Sequence, residues 1–190
     1  MSDPVSAMNG AKFSGLAQIE DSGLQGMITL RGDLASDTLK AAVKAAAGAD
    51  VPASGQVSLS DAGGVAWMSP DELLLLVPYA EVEAKVAELS EALKGEHALA
   101  VNVSDARGVF RLSGEDAREV LAKICPVDMS VEAFKPGQFR RTRMAQVAAA
   151  FWLDHDGSFH IVCFRSVAGY VYNLLSAAAH PQSKVGVLTG

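Results

Sequence analysis

The chain has 190 residues, of which 49% are hydrophobic and 20% charged; 16 Lys and Arg stand against 22 Asp and Glu, a formal net charge of −6. That much apolar content offsets the entropy of ordering and excludes a disordered chain, and at this size folding buries roughly 70% of the surface the unfolded chain exposes. The acidic balance argues against a general nucleic-acid binder, whose phosphate affinity comes from concentrated Lys and Arg.

Residues 16–20 read as a first strand leading into Asp21-Ser22. A second covers 26–32, Gly-Met-Ile-Thr-Leu-Arg-Gly. Residues 37–47 follow as an Ala-rich helix, with Leu39 and Val43 on one face. Two apolar strands, 64–68 and 72–77, flank a turn at Ser69-Pro70-Asp71. Residues 79–93 form a helix on which Val82, Val86, Leu89 and Leu93 make one stripe. The pattern then recurs: strands at 98–103 and 108–114, and a helix at 115–125 with Ala117, Val120, Leu121 and Ile124 inward. Strands at 147–153 and 159–164 flank Asp154-His155-Asp156-Gly157, whose Asp-Gly step tolerates the positive φ of a hairpin turn. A last helix spans 166–179, with Val167, Tyr170, Val171, Leu174 and Leu175 inward.

Leu30 maps to Leu112 and Gly55-Gln56 to Gly137-Gln138, both at a shift of 82 residues. The expectation is an α+β fold with mainly antiparallel sheet, built from two tandem β-β-α-β-β-α units. The expected boundaries are an N-terminal arm at 1–14, a first repeat at 15–95, a second at 96–180 and a C-terminal tail at 181–190. Charge divides along the same line: residues 1–95 hold 6 basic and 13 acidic groups, net −7, and residues 96–190 hold 10 and 9, net +1.

No dinucleotide or phosphate loop and no nucleophile elbow occurs. Cys125 and Cys163 stand far apart, without a CxxC pattern, and read as small buried hydrophobes. Asp154-His155-Asp156 reads as a hairpin turn before it reads as a metal site, and His97, His160 and His180 gather no cluster around them. Trp67 and Trp152 occupy comparable strands and read as core or interface. Asp71-Glu72, Glu81, Glu83 and Glu115-Asp116 fall at expected turns and helix starts, where negative charge suits the helix dipole. Arg140, Arg141 and Arg143 form the one basic cluster, a candidate anion site or docking patch for an acidic partner surface. Strand alternation puts Phe139, Arg141 and Arg143 on one face and Arg140 on the other. The start lacks a basic n-region, and the most apolar run, 73–77, is far too short to span a bilayer. The expectation is a cytoplasmic protein with no membrane or nucleic-acid partner.

A set of motifs remains, in this order: Trp67-Met68-Ser69-Pro70-Asp71-Glu72; Val103-Ser104-Asp105-x-Arg107; Arg111-Leu112-Ser113-Gly114-x-x-Ala117; Cys125-Pro126-x-Asp128; Phe134-x-Pro136-Gly137-Gln138; and Phe164-Arg165-Ser166 entering a helix with Tyr170. Across residues 24–180 this order resembles the gamma subunit of heterotetrameric sarcosine oxidase. The resemblance implies an aminomethyltransferase-like fold and a place beside alpha, beta and delta subunits. It implies an assembly that oxidatively demethylates sarcosine to glycine and passes the one-carbon unit to tetrahydrofolate. FAD, FMN, NAD and zinc are then held by the partner subunits, and none of them by this chain.

Two departures bear on catalysis. Where the aminomethyltransferases carry a catalytic Asp, this chain has Ala148, Ala149 and Ala150, which cannot handle a proton. The Lys-Gly-Cys-Tyr-x-Gly-Gln-type motif of related folate-binding regulators is also missing, since Cys125 is followed by Pro-Val-Asp. Both favour a non-catalytic subunit, with no catalytic, cofactor or metal residues of its own, over the alternative of a stand-alone folate-binding or one-carbon-transfer protein. A third reading keeps the subunit role and moves the substrate to another N-methylated amino acid. On the structural-subunit reading, the terminal stretches, notably residues 183–190, are candidates for partner contact.

Overall fold

The computed structural model describes residues 3–188. In chain order it begins with β1 (Lys12–Ser14), β2 (Gln18–Asp21), β3 (Gly26–Arg31), α1 (Asp37–Ala47), β4 (Val57–Ser60) and β5 (Gly63–Ser69). It continues with β6 (Glu72–Val77), α2 (Val82–Ala92), β7 (Leu99–Asn102), β8 (Arg107–Ser113) and α3 (Ala117–Ala122). It ends with β9 (Phe139–Met144), β10 (Val147–Leu153), β11 (Phe159–Phe164) and α4 (Ala168–Ala178). The paired strands are antiparallel throughout both sheets, as an α+β class requires. Among the described residues no helix is long and apolar enough to cross a membrane.

Two compact units form. One is Leu24–Asp105; the other combines the chain up to Gly23 with the chain from Ala106 onward. The Leu24–Asp105 unit is a five-stranded sheet in the order β4-β5-β6-β3-β7. Ser36 caps α1 by accepting the Leu39 N–H at 3.3 Å, and Gly48 ends it in the left-handed region at φ 67°. Leu39, Val43 and Ala47 of α1, with Val82, Leu89 and Leu93 on and after α2, bury against Ile28, Leu30, Leu73, Leu75 and Val77. β6 is buried on both faces, so its Leu run shows no alternation.

The split unit is a six-stranded sheet in the order β1-β2-β8-β11-β10-β9. Its core joins Phe110, Leu112, Phe151, Phe159 and Ile161 to Val120 and Leu121 of α3 and to Val171 and Leu175 of α4. Phe134, wholly buried, sits 5.4 Å from the Phe151 ring and 5.9 Å from Phe159. α3 is shorter than the expected 115–125 because Pro126 has no N–H to continue it, and the chain tightens as Ile124 N–H bonds Leu121 O at 3.0 Å.

The units are divided differently from the expected tandem halves. β7, assigned by sequence to the second repeat at 96–180, pairs with β3 in the first sheet. β2, assigned to the first repeat at 15–95, pairs with β8 in the second. The reason is local: buried Ser104, just after β7, accepts the Met27 N–H at 2.9 Å, and Val103 N–H bonds Met27 O. The charge asymmetry survives the redrawn line, since Leu24–Asp105 holds 5 basic and 12 acidic groups, net −7.

The terminal stretches are also not free arms. The Asp21 carboxylate, 8% exposed, accepts from Ser6 Oγ at 2.5 Å and from the N–H of Met8 and of Gly10 at 3.0 Å, and Arg165 donates to Val5 O at 2.9 Å. The segment after Pro181 is fastened to α3, as described below. Met1, Ser2, Thr189 and Gly190 lie outside the described residues.

Replacing Ser104 by Ala leaves the buried Met27 N–H without its side-chain acceptor. Urea unfolding of this variant should lose about 1–3 kcal/mol of stability; an unchanged midpoint would show that the strand end is held without it.

Candidate functional site

The basic cluster Arg140, Arg141 and Arg143 lies on β9, an edge strand of the split unit's sheet. The Phe134-to-Gln138 motif builds the approach. Gly137 adopts φ 82° and its N–H bonds Leu153 O at 2.9 Å, while the Gln138 side chain accepts the Lys135 N–H at 3.0 Å. The register on β10 then sets Arg141 opposite Ala150, Arg140 opposite Phe151 and Arg143 opposite Ala148.

The three arginines therefore do not form one patch. Arg141 and Arg143 are exposed on one face, as alternation predicts. Arg140 lies half-buried on the other, donating to Phe139 O at 2.9 Å with its guanidinium 5.6 Å from the Phe134 ring centre. Arg140 and Arg141 line a cleft of about 360 Å³ with Pro126, Val127, Asp128 and Ala133. The Pro126-to-Asp128 stretch thus meets Arg140 and Arg141 of β9, the strand that the Phe134-to-Gln138 motif leads into. Asp128 stays ionised there: hydrogen bonds from Ser130 hold its carboxyl below the usual range.

The other sequence candidates are occupied structurally. Asp156 takes Arg111 at 2.7 Å and the Ser158 hydroxyl, and these bonds hold its carboxyl well below the usual carboxylate range. Asp154 lies 3.5 Å from His160 Nε2, and burial pushes the His160 imidazole below its ordinary value. His160 stacks on Trp152 with ring centres 5.1 Å apart. Among the described residues no group of three His, Cys, Asp or Glu gathers for a metal. Burial pushes the Cys125 thiol to about 12 and the Cys163 thiol to about 11, so neither is a ready nucleophile. Ala149 and Ala150 are buried on β10, so methyl groups fill the strand where the sequence resemblance places a catalytic Asp.

Sequence reasoning passed over Arg118, Glu119 and Glu72. Arg118 donates to the carbonyls of Met129 and Ser130 at 2.8 and 3.3 Å and lies over the Phe159 ring, fixing the loop that walls the cleft. Glu72, expected at a turn, is buried at the start of β6 and binds Arg31 at 2.7 Å. Glu119, 3% exposed on α3, accepts the N–H of Val185 at 2.7 Å and of Gly186 at 2.6 Å, and pairs with Lys123 at 3.0 Å. Lys184 adds a bond to Asp116 at 3.0 Å. These bonds clasp the C-terminal segment. No sequence signal separates such a Glu from one on a solvated helix face, because its partners are backbone groups 66 or more residues away.

Comparison with known proteins gives a consistent picture. The sequence model of the "Sarcosine oxidase, gamma subunit family" matches residues 31–180. The sarcosine oxidase subunit gamma of Arthrobacter sp is 34% identical over 124 residues, 64% of this chain and 60% of the relative. That of Corynebacterium sp. (strain P-1) is 33% identical over the same shares. The match thus spans 60% of the length of these curated relatives. Among solved structures, a chain of heterotetrameric sarcosine oxidase from Corynebacterium sp. U-96, in complex with pyrrole 2-carboxylate, superposes with a TM-score of 0.81 at 27% identity, covering 93% of this chain and 91% of that one. The glycine cleavage system aminomethyltransferase T from Bartonella henselae superposes at 0.62 and 18% identity over 85% of this chain and 45% of that one, a likeness of fold.

Ionised Glu119 is the form that holds the tail, and the Val185 N–H, then Lys123, lowers its pKa from 4.5 to about 2. The clasp is therefore complete above pH 4.5 and lost as pH falls through about 2. The amide-proton shifts of Val185 and Gly186 should titrate near that lower value and stop titrating in Glu119→Gln; a midpoint at 4.5 would mean the carboxylate does not hold them.

Proposed function

Because the chain belongs to the sarcosine oxidase gamma subunit family, we propose that it serves as the non-catalytic gamma subunit of a heterotetrameric sarcosine oxidase. In this reading it supports an assembly with alpha, beta and delta subunits that oxidatively demethylates sarcosine to glycine and passes the one-carbon unit to tetrahydrofolate. FAD, FMN, NAD and zinc belong to the partner subunits, and the assembly works in the cytoplasm. The observation that carries the reading is the breadth of the likeness: the family match runs over residues 31–180, and the superposition on the sarcosine oxidase chain covers 93% of this chain.

The chain's own chemistry supports the same role. β10 offers Ala148, Ala149 and Ala150 and no carboxylate, the thiols are buried, and Asp156 and Glu119 are committed to structural bonds. Arg141 and Arg143 stand exposed on the β9 edge. We assign them to an acidic face of a partner subunit, where exposed charges act over about one Debye length, roughly 10 Å at 0.1 M salt.

Size-exclusion chromatography of the chain co-expressed with the flavin-bearing subunits tests this. The chain should co-elute with flavin, and persistent separate elution would overturn the reading. Calorimetry of the isolated chain with tetrahydrofolate should show no binding at about 1 mM ligand, and measurable heat there would favour a stand-alone folate protein instead. Charge reversal in Arg141→Glu with Arg143→Glu should weaken assembly more at low than at high salt; equal assembly at both would show that the cluster is only solvated.

A further inference from the structure

The two sheets end in four edge strands: β1 and β9 in one, β4 and β7 in the other. Exposed edges are usually protected by charge against unwanted pairing. β9 carries three arginines and β1 a lysine, while β4, Val-Ser-Leu-Ser, is uncharged but exposes a single large apolar side chain, Leu59. β7 reads Leu-Ala-Val-Asn, carries no charge, and leaves Leu99 59% and Val101 41% exposed.

The register identifies its spare backbone groups. Val103 N–H bonds Met27 O, while Val101 stands opposite Thr29 and Leu99 opposite Arg31. Antiparallel pairs alternate between hydrogen-bonded and non-bonded, so residues 99, 101 and 103 face β3, and Ala100 and Asn102 turn their N–H and C=O groups to the open side. Ala98 and Ala100 join the helix-side core, leaving Leu99 and Val101 on the opposite face. A cavity of about 450 Å³ lies beside Leu99, lined also by Arg31, Asp71 and His97.

Charge indicates the occupant. Glu83 accepts the Asn102 side-chain N–H at 2.7 Å at one end of β7, and Glu96 stands three residues before Leu99 at the other. Both side chains belong to a unit with a net charge of −7. A second copy of this chain pairing there would bring Glu83 and Glu96 of one copy against those of the other in either direction, and like charges repel.

We propose that β7 is a docking edge at which an extended basic segment of a partner subunit adds as a further strand. Its backbone bonds Ala100 and Asn102, its apolar side chains cover Leu99 and Val101, and a Lys or Arg lies near each of Glu83 and Glu96. Strand addition draws affinity from the main chain and specificity from alternate side chains. The proposal rests on the gamma-subunit reading and adds to it the surface and the chemistry of the partner.

Hydrogen exchange on the co-expressed assembly and on the isolated chain tests it, with Val101→Lys as a variant that keeps an exposed position exposed. The Ala100 and Asn102 amides should exchange about tenfold more slowly in the assembly, and Val101→Lys should weaken assembly about tenfold while the isolated variant melts as wild type. Double reversal in Glu83→Lys with Glu96→Lys should weaken it too. If wild type assembles but β7 exchange and Val101→Lys assembly are unchanged, strand addition is overturned and the gamma reading stands. If wild type never joins the flavin subunits, both fall. Dimers of the isolated chain with β7 protected would replace the partner segment with a second copy.

Discussion

An antiparallel sheet leaves a row of unpaired N–H and C=O groups along each edge, and those groups must be paired, capped or kept in water. Much of what is unusual in this chain follows from how its edges are settled. In the Leu24–Asp105 unit, β7 arrives from beyond α2 to cover β3, and the buried Ser104 hydroxyl locks its end. In the split unit, β2 arrives from the N-terminal side to cover β8, and β1 then extends the sheet by one short strand. Read inward from β4 and from β9, the two sheets run in the same succession until the borrowed strand. The boundary between the units is therefore a matter of backbone pairing, which side-chain composition does not report.

The same economy governs the termini. Two buried carboxylates, Asp21 and Glu119, each accept from two backbone N–H groups of a terminal segment. A buried carboxylate is costly unless fully hydrogen-bonded. Here the backbone amides supply those bonds, so segments that look like loose arms become part of the unit. Charge differs between the units: β9 of one carries three arginines, while Glu83 and Glu96 flank β7 of the other.

Strong local patterns were legible in the sequence. The β10–β11 hairpin followed from two apolar runs around Asp-Gly, and α1 from Leu39 and Val43 spaced four apart in an Ala-rich stretch. The split of Arg141 and Arg143 from Arg140 followed from strand period alone. β4 and β1 escaped because three or four residues carry too little period to detect. The cleft beside β9 escaped because Pro126–Asp128 and Arg140–Arg141 meet only through the fold. Ordered motifs pointed to the family where no single catalytic group could, since the motif residues around β9 shape turns and loops and both cysteine thiols are buried.

The central claim is that this chain is one structural member of a four-subunit oxidase. Native mass spectrometry of the enzyme captured through a tag on this chain tests it most directly. The account predicts one copy of this chain with three different partner chains, and flavin mass on the partners after gentle dissociation. Recovery of the chain alone, or only as copies of itself, would contradict it.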